Sequence, residues 1–371
     1  MQTHGGISRC FAELFKHLPN HVDAFLAVHE SNNKYIQDIP GINPNGYSLN
    51  NFICKKDFIG KDHLHLWADK LRVHKHYPNY NQNYSVELLK EGNFDIFHPT
   101  YYDDYFIPFL KGKPYVLTIH DMIPELFEGL DVWQKENKRK LARQAAHIVA
   151  VSNQTKTDII DILKIAEENI TVIYNAAPDF LFFSNKSLFS FPYILYVGAR
   201  SAYKNFDLML SQLKDFLLSH QDTKLVCSGA DFTKSELELI SKLGLQDSVI
   251  HYFSEEAELG NLYHYASCFI YPSAYEGFGI PILEAYKAEC PVLLNNASCF
   301  PEIAGKGAFY FELNKEYSNL NTVIEKFWSL SHDEMLQLKQ RQKERLKLFS
   351  WSESAKALTR VYEEVISRYV V

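Results

Sequence analysis

Glu276 and Glu284 flank the loop Gly277-Phe278-Gly279-Ile280-Pro281, which follows the apolar run Cys268–Tyr271. The run reads as a buried strand. Pro281 suits the first turn of a helix, where a missing N–H costs nothing. A strand, a glycine loop and a helix start together form the place where α/β proteins hold phosphates and sugars. Arg200 and Lys204 follow another apolar run, Tyr193–Val197. Arginine offers a planar fork for phosphate and lysine a mobile point charge, and on one strand-to-helix loop the two can converge on a diphosphate. The plain alternatives are a surface pair for these two and a helix cap for Glu284. His120 follows a third run, Tyr115–Ile119; its imidazole can donate to a sugar hydroxyl or a phosphate. Gly5-Gly6 precede Ile7, Phe11, Leu14, Phe15 and Leu18 at helical spacing. That pairing permits close backbone approach and sets a helix N-terminus toward an anion.

The elements that must hold these residues alternate. Strands are expected at Ala24–Val28, Phe94–Phe97, Tyr115–Ile119, His147–Val151 and Ile170–Tyr174, with helices at Trp133–Ala146 and Asn153–Leu163. Ser152 suits the N-cap of the second helix. After a linker at 175–192, a second series places strands at Tyr193–Val197, Lys224–Ser228, Val249–Phe253, Cys268–Tyr271, Pro291–Asn295 and Ala308–Phe311. Helices intervene near 206–219, 233–243, 256–266 and 281–289, and a final amphipathic helix begins at Trp351. Strands separated by helices argue for parallel sheets, whose ligands sit beyond the strands' carboxyl ends. The expected domains are 1–180, 190–350 and a C-terminal helix at 351–371. Only four residues precede Gly5, so either the recorded start is too late or the first strand of the N-terminal sheet is absent.

Glu276 and Glu284, with Gly-Phe-Gly-Ile-Pro between them, resemble the signature of retaining glycosyltransferases of family 4, the glycogen-synthase-like group of bacterial surface-polysaccharide type. Ile119-His120-Asp121-Met122-Ile123-Pro124, the Gly6 loop, Arg200 with Lys204, and Asn296–Glu302 are similar to further segments of that family. The resemblance implies a GT-B architecture: two Rossmann-like, doubly wound domains facing a cleft near residues 5–6, 98–121 and 198–284, with the last helix crossing back to the N-terminal domain. It implies transfer of a hexose-type sugar from a nucleotide diphosphate sugar to a glycan or lipid-linked acceptor, with retention. Glu276 and His120 would then meet the donor sugar and Glu284 the ribose. Gly6, Arg200, Lys204, Phe278, Gly279 and Ile280 would bind the donor. No metal or cofactor is expected, since the cationic pair can neutralise the leaving diphosphate. Competing readings are a sugar-nucleotide epimerase of the same architecture and a non-catalytic binding subunit.

The 371 residues suit about two domains. A net charge of -7 argues against nucleic acid as a partner. No apolar run approaches the roughly 20 residues needed to span a bilayer. Six cysteines without close metal-type pairing read as buried thiols in a reducing cytoplasm. The stretch from Lys55 to Tyr80 is basic, histidine-rich and interleaved with Trp67, Leu64 and Leu71. It reads either as a solvated surface or as a dock for a phosphate-bearing acceptor or an anionic membrane face.

Overall fold

The computed structural model describes residues 5–28, 31, 33–36, 80–178, 184, 186–200 and 202–369. The basic stretch from Lys55 lies outside the described residues, apart from Tyr80 at its end. The strands are β1 (Val116–Ile119), β2 (His147–Ala150), β3 (Ile170–Val172), β4 (Tyr193–Val197), β5 (Lys224–Ser228), β6 (Val249–Tyr252), β7 (Cys268–Tyr271), β8 (Val292–Asn295) and β9 (Phe309–Phe311). The helices used below are α1 (Gly6–Lys16), α2 (Tyr80–Glu91), α3 (Val132–Gln144), α4 (Asn153–Asp158), α5 (Phe206–Ser219), α6 (Lys234–Leu243), α7 (Glu256–Tyr265), α8 (Ile280–Lys287), α9 (Leu320–Trp328), α10 (His332–Leu346) and α11 (Trp351–Tyr369). One sheet has the order β1-β2-β3, the other β6-β5-β4-β7-β8-β9.

The chain gathers into two compact units. The first takes the described residues within 1–118, 136–149 and 355–371. Here α1 buries Cys10, Phe11 and Leu14 on the face that its apolar spacing marks. Phe97 makes a parallel bridge to Tyr115, and Phe106 packs edge-on against the Tyr115 ring. The C-terminal helix belongs to this unit from Ala355 onward, burying Ala355, Leu358, Val361 and Val365 at helical spacing. His98 is tied on both ring nitrogens, at 2.6 Å to Tyr362 Oη and 2.9 Å to Thr118 Oγ1. A histidine so held locks α11 to the end of β1.

The second unit takes 119–135 and 150–354. Its six-stranded sheet is parallel throughout, with Tyr193 opposite Lys224 and Ile194 opposite Cys268. β4 and β7 are neighbours although β5 and β6 lie between them in sequence, so strand order reverses there. In open parallel sheets that reversal opens a crevice beyond the strands' carboxyl ends. Ile194, Tyr196, Met209, Leu210, Leu213 and Leu225 form the core of β4, β5 and α5, all at most 1% exposed. At roughly 1.5–3 kcal/mol for each fully buried large apolar side chain, this core fixes the strand ends that carry the site.

Two expected strands are not formed, and one expected helix changes type. Ala24–Val28 is not a strand: its residues are half-buried or exposed, Phe25 is 66% exposed, and Val28 N donates locally to Leu26 O. β-Propensity registers only where a neighbouring strand accepts the ladder, and none does so here among the described residues. Phe94–Phe97 contributes a single bridge at Phe97 rather than a strand. The expected helix over 153–163 is α4 followed by a π-helical turn, Ile159–Leu163, which closes at Lys164 with φ 59°.

Candidate functional site

The loops after β4 and β7 meet at the sheet's reversal point. Beyond β4 a short 3₁₀ turn, Ala202–Lys204, leads into α5 through Asn205, which takes a left-handed φ of 53°. Asn205 Nδ2 donates to Pro272 O at 3.2 Å, and Ala274 N donates to Tyr203 O at 2.8 Å. These two bonds stitch the loops together. They bring Lys204 Nζ to 2.5 Å from Glu276 Oε1. Both side chains are nearly buried, at 14% and 12% exposure. The ammonium also stands 5.0 Å from the Tyr203 ring centre and 5.6 Å from that of Tyr271. Burial first, and then the charge of the neighbouring Glu276 carboxylate, hold the Tyr271 phenol well above its ordinary pKa.

The loop carrying Glu276 is fixed at successive carbonyls. Glu276 O accepts from Ser298 Oγ at 2.7 Å and from Cys299 Sγ at 3.2 Å. Gly277 O accepts from Ser152 Oγ at 2.6 Å and Thr155 Oγ1 at 3.1 Å. Phe278 O accepts from Cys299 Sγ at 3.2 Å. Gly277 is required by close approach, because a Cβ there would sit 1.7 Å from His120 O. Gly279 is required by conformation: its φ of 87° opens α8, whose first turn takes Ile280 and Pro281.

His120 leaves β1 half-buried, and its carbonyl lies against Gly277. Asp121 Oδ1 accepts from Ile123 N at 3.0 Å and caps the following turn. Glu284 is buried on α8 and accepts from Tyr263 Oη of α7 at 3.4 Å. Phe278 is buried and packs near Tyr174 and Phe349. Gly6, in the other unit, opens α1; a Cβ there would meet nothing within 4 Å.

Arg200 is placed differently from Lys204. Its Nε donates to Glu236 Oε1 at 2.8 Å, and its Nη2 to Ala230 O at 2.7 Å and Asp231 O at 2.8 Å. The guanidinium lies 4.8 Å from the Phe232 ring centre and is 4% exposed, leaving Nη1 without a hydrogen bond. Burial raises the Glu236 pKa, but hydrogen bonds from Arg200 and Thr233 outweigh it and hold the carboxyl below its usual value. Arg200 thus joins the β4 loop to the capping box at the start of α6.

Sequence reasoning missed the partners that build this frame. Glu302 is the clearest. Its carboxylate accepts from Asn153 N at 2.7 Å, Asn153 Nδ2 at 2.9 Å and Gln154 N at 3.2 Å, satisfying the N-terminus of α4. Tyr275 Oη donates to Asp158 Oδ2 at 2.6 Å. The signal for α4 was present in Ser152, which caps the helix by accepting from Thr155 N.

The fold is an α/β protein whose parallel sheet carries a glycine loop and a nearly buried Lys–Glu pair at its reversal point. Comparison with known proteins narrows this class. The profile of "Glycosyltransferase Family 4" matches residues 4–178 and that of "Glycosyl transferases group 1" residues 179–345. The chain therefore belongs to the glycosyltransferases of GT-B architecture. It is 31% identical to the O-antigen chain mannosyltransferase RfbU of Salmonella typhimurium over 237 residues, 62% of this chain and 64% of that protein. It is 24% identical to the MMP alpha-(1->4)-mannosyltransferase of Mycolicibacterium hassiacum over 276 residues, 69% of this chain and 67% of the relative. The matched region thus spans just under two thirds of RfbU. Among solved structures, a glycosyltransferase from Rickettsia africae gives a TM-score of 0.62 at 20% identity, covering 78% of this chain and 83% of that one. The Anabaena HepE protein, solved with UDP and glucose, gives 0.61 at 18%, covering 76% and 82%. These likenesses show the fold. No helix of the described residues is long and apolar enough to cross a membrane.

Proposed function

We propose that the protein transfers a hexose, mannose in the first instance, from a nucleotide diphosphate sugar to a glycan or lipid-linked acceptor in surface-polysaccharide synthesis, with retention of anomeric configuration. The observation that carries this reading is the Lys204–Glu276 pair at the reversal point of the parallel sheet. The choice of mannose rests on the names of the relatives. In the reaction the C1–O bond to the diphosphate breaks and its electron pair leaves with the phosphate. The acceptor hydroxyl oxygen forms the new bond to C1 from the same face, and its proton passes to the departing phosphate oxygen.

Lys204 supplies positive charge where negative charge grows on the diphosphate, the interaction that strengthens most in the transition state. With the donor bound, Lys204 is shared between the phosphate and Glu276. Glu276, held by Lys204, faces the sugar ring as positive charge develops there. Glu284 takes the ribose hydroxyls, and Gly279 and Ile280 present the start of α8 to the phosphates. Arg200 acts on the donor through the loop that it fixes. His120 contacts the sugar. In this reading Lys204 brings positive charge to the leaving diphosphate. The relatives' names are those of transferases, which favours transfer over epimerisation or binding alone.

The test is a screen of GDP-mannose, UDP-glucose and UDP-N-acetylglucosamine for thermal stabilisation, followed by transfer of labelled sugar to a lipid-linked oligosaccharide extract. Binding raises the unfolding temperature in proportion to ln(1 + [L]/Kd). One donor should stabilise the chain and give acceptor-dependent transfer with a retained anomer. Stabilisation by none of the donors, with no transfer, overturns the reading.

A further inference from the structure

We propose that the short helix α4, with its N-cap, is a positioning device for Glu276, acting through Ser152, Thr155 and Asp158; the catalytic consequence rests on the transferase reading given above. The argument starts from the order of residues. Glu276 lies between Tyr275 and Gly277, and both neighbours are bonded to this one short segment, Gly277 at its start and Tyr275 at its end. Tyr275 Oη donates to Asp158 Oδ2 at 2.6 Å, while Gly277 O receives the hydroxyls of Ser152 and Thr155 at 2.6 and 3.1 Å. A carbonyl oxygen has two lone pairs, so both hydroxyls are accommodated. Gln154 Nε2 donates to the other oxygen of Asp158 at 2.9 Å, which orients that carboxyl toward Tyr275.

The segment is itself held. The Glu302 carboxylate satisfies two of its leading N–H groups, and Ser152 Oγ satisfies a third, from Thr155. Ser152 and Thr155 are fully buried, and Gly277 has no side chain of its own to fix the loop. The backbone on either side of Glu276 is therefore set from outside the loop, by residues more than a hundred positions earlier in the chain. A carboxylate that must meet a reacting carbon needs this placement, because a misplacement of about 1 Å costs on the order of a hundredfold in rate.

The experiment uses the full chain carrying Thr155→Val, Tyr275→Phe, Ser152→Ala or Ser152→Thr. Val and Phe keep shape and remove only the hydroxyl. Amide hydrogen exchange of a peptide spanning 272–280, followed by mass spectrometry, reads the loop without reference to activity. Exchange should rise about tenfold in Thr155→Val and Tyr275→Phe, while the remaining peptides and the unfolding temperature stay close to the parent, and Ser152→Thr should resemble the parent. With the donor that the parent uses, kcat should fall about tenfold and KM should change less than about twofold, because the acting group is displaced rather than removed. Unchanged exchange at 272–280 in both hydroxyl deletions overturns the proposal. So does unchanged kcat in a parent that transfers sugar. If the parent transfers nothing while the exchange differences appear, the transferase reading fails and the positional role of the segment stands.

Discussion

Gly277→Ala is the sharpest single test of the site's construction. The added Cβ would stand 1.7 Å from His120 O, 2.8 Å from His120 C and 3.1 Å from Asp121 Cα. Ordinary contact begins near 3.4 Å, so the His120 carbonyl and the Gly277 backbone must separate by 3.4 minus 1.7, or 1.7 Å. Neither side yields easily. His120 is the direct continuation of β1, and Gly277 O is bonded to two hydroxyls of the α4 turn. Overpacking of this kind costs about 1–3 kcal/mol, and backbone-to-backbone overlap belongs at the upper end. Activity should suffer more than stability, since a shift well above 1 Å displaces Glu276, and about 1 Å already costs on the order of a hundredfold. Urea unfolding reads the first quantity and initial transfer rates the second. Gly6→Ala is the control: its Cβ meets nothing, so stability should stay within about 0.5 kcal/mol, while donor KM rises if the backbone there approaches the diphosphate. A Gly277→Ala protein with parental stability and rate would refute the packing argument and the placement of His120 against the loop.

Other substitutions separate the roles. Lys204→Ala and Glu284→Ala should each weaken nucleotide-sugar binding at least tenfold, the scale of one charge-assisted hydrogen bond at about 1.5–3 kcal/mol; calorimetric titration checks this. Arg200→Lys should lower stability by about 1–3 kcal/mol in denaturant, because a lysine cannot span Glu236 and two carbonyls at once. Glu236 is held below its ordinary value of 4.5, so the unfolded chain takes up this proton first. Its contribution is full above that value and is lost as pH falls through the lower folded one, so Glu236→Gln should flatten the acid limb of a stability–pH curve. Transfer should persist in excess chelator; full loss restored by magnesium or manganese would assign the leaving-group charge to a metal.

Most of the C-terminal sheet was legible. β4, β5 and β7 stand at the bounds that their apolar runs mark, because a strand buried on both faces shows itself as a continuous apolar segment between turn residues. Glu276 and Lys204 were each readable from a loop at a strand end, but not as a pair. Their 2.5 Å contact depended on the reversal of strand order between β4 and β7, which no local pattern encodes. Arg200 shows the limit most plainly. Its type and position suit phosphate, yet its main partner, Glu236, was already present as the acidic member of a capping box 36 residues on. The N-cap role of Ser152 was local and readable. Its bond to Gly277, 125 residues away, was not. Ala24–Val28 failed for the same reason in reverse, since strand propensity without a ladder partner does not make a strand.

The central claim is that the Lys204–Glu276 pair marks a site of sugar transfer. It is tested most directly by following labelled sugar from the stabilising nucleotide donor to the lipid-linked extract in the parent and in Glu276→Gln. The account predicts acceptor-dependent labelling by the parent, and at least about a hundredfold less by the variant with donor binding retained, because the charge facing the sugar acts mainly in the transition state. Equal labelling by both proteins would contradict it.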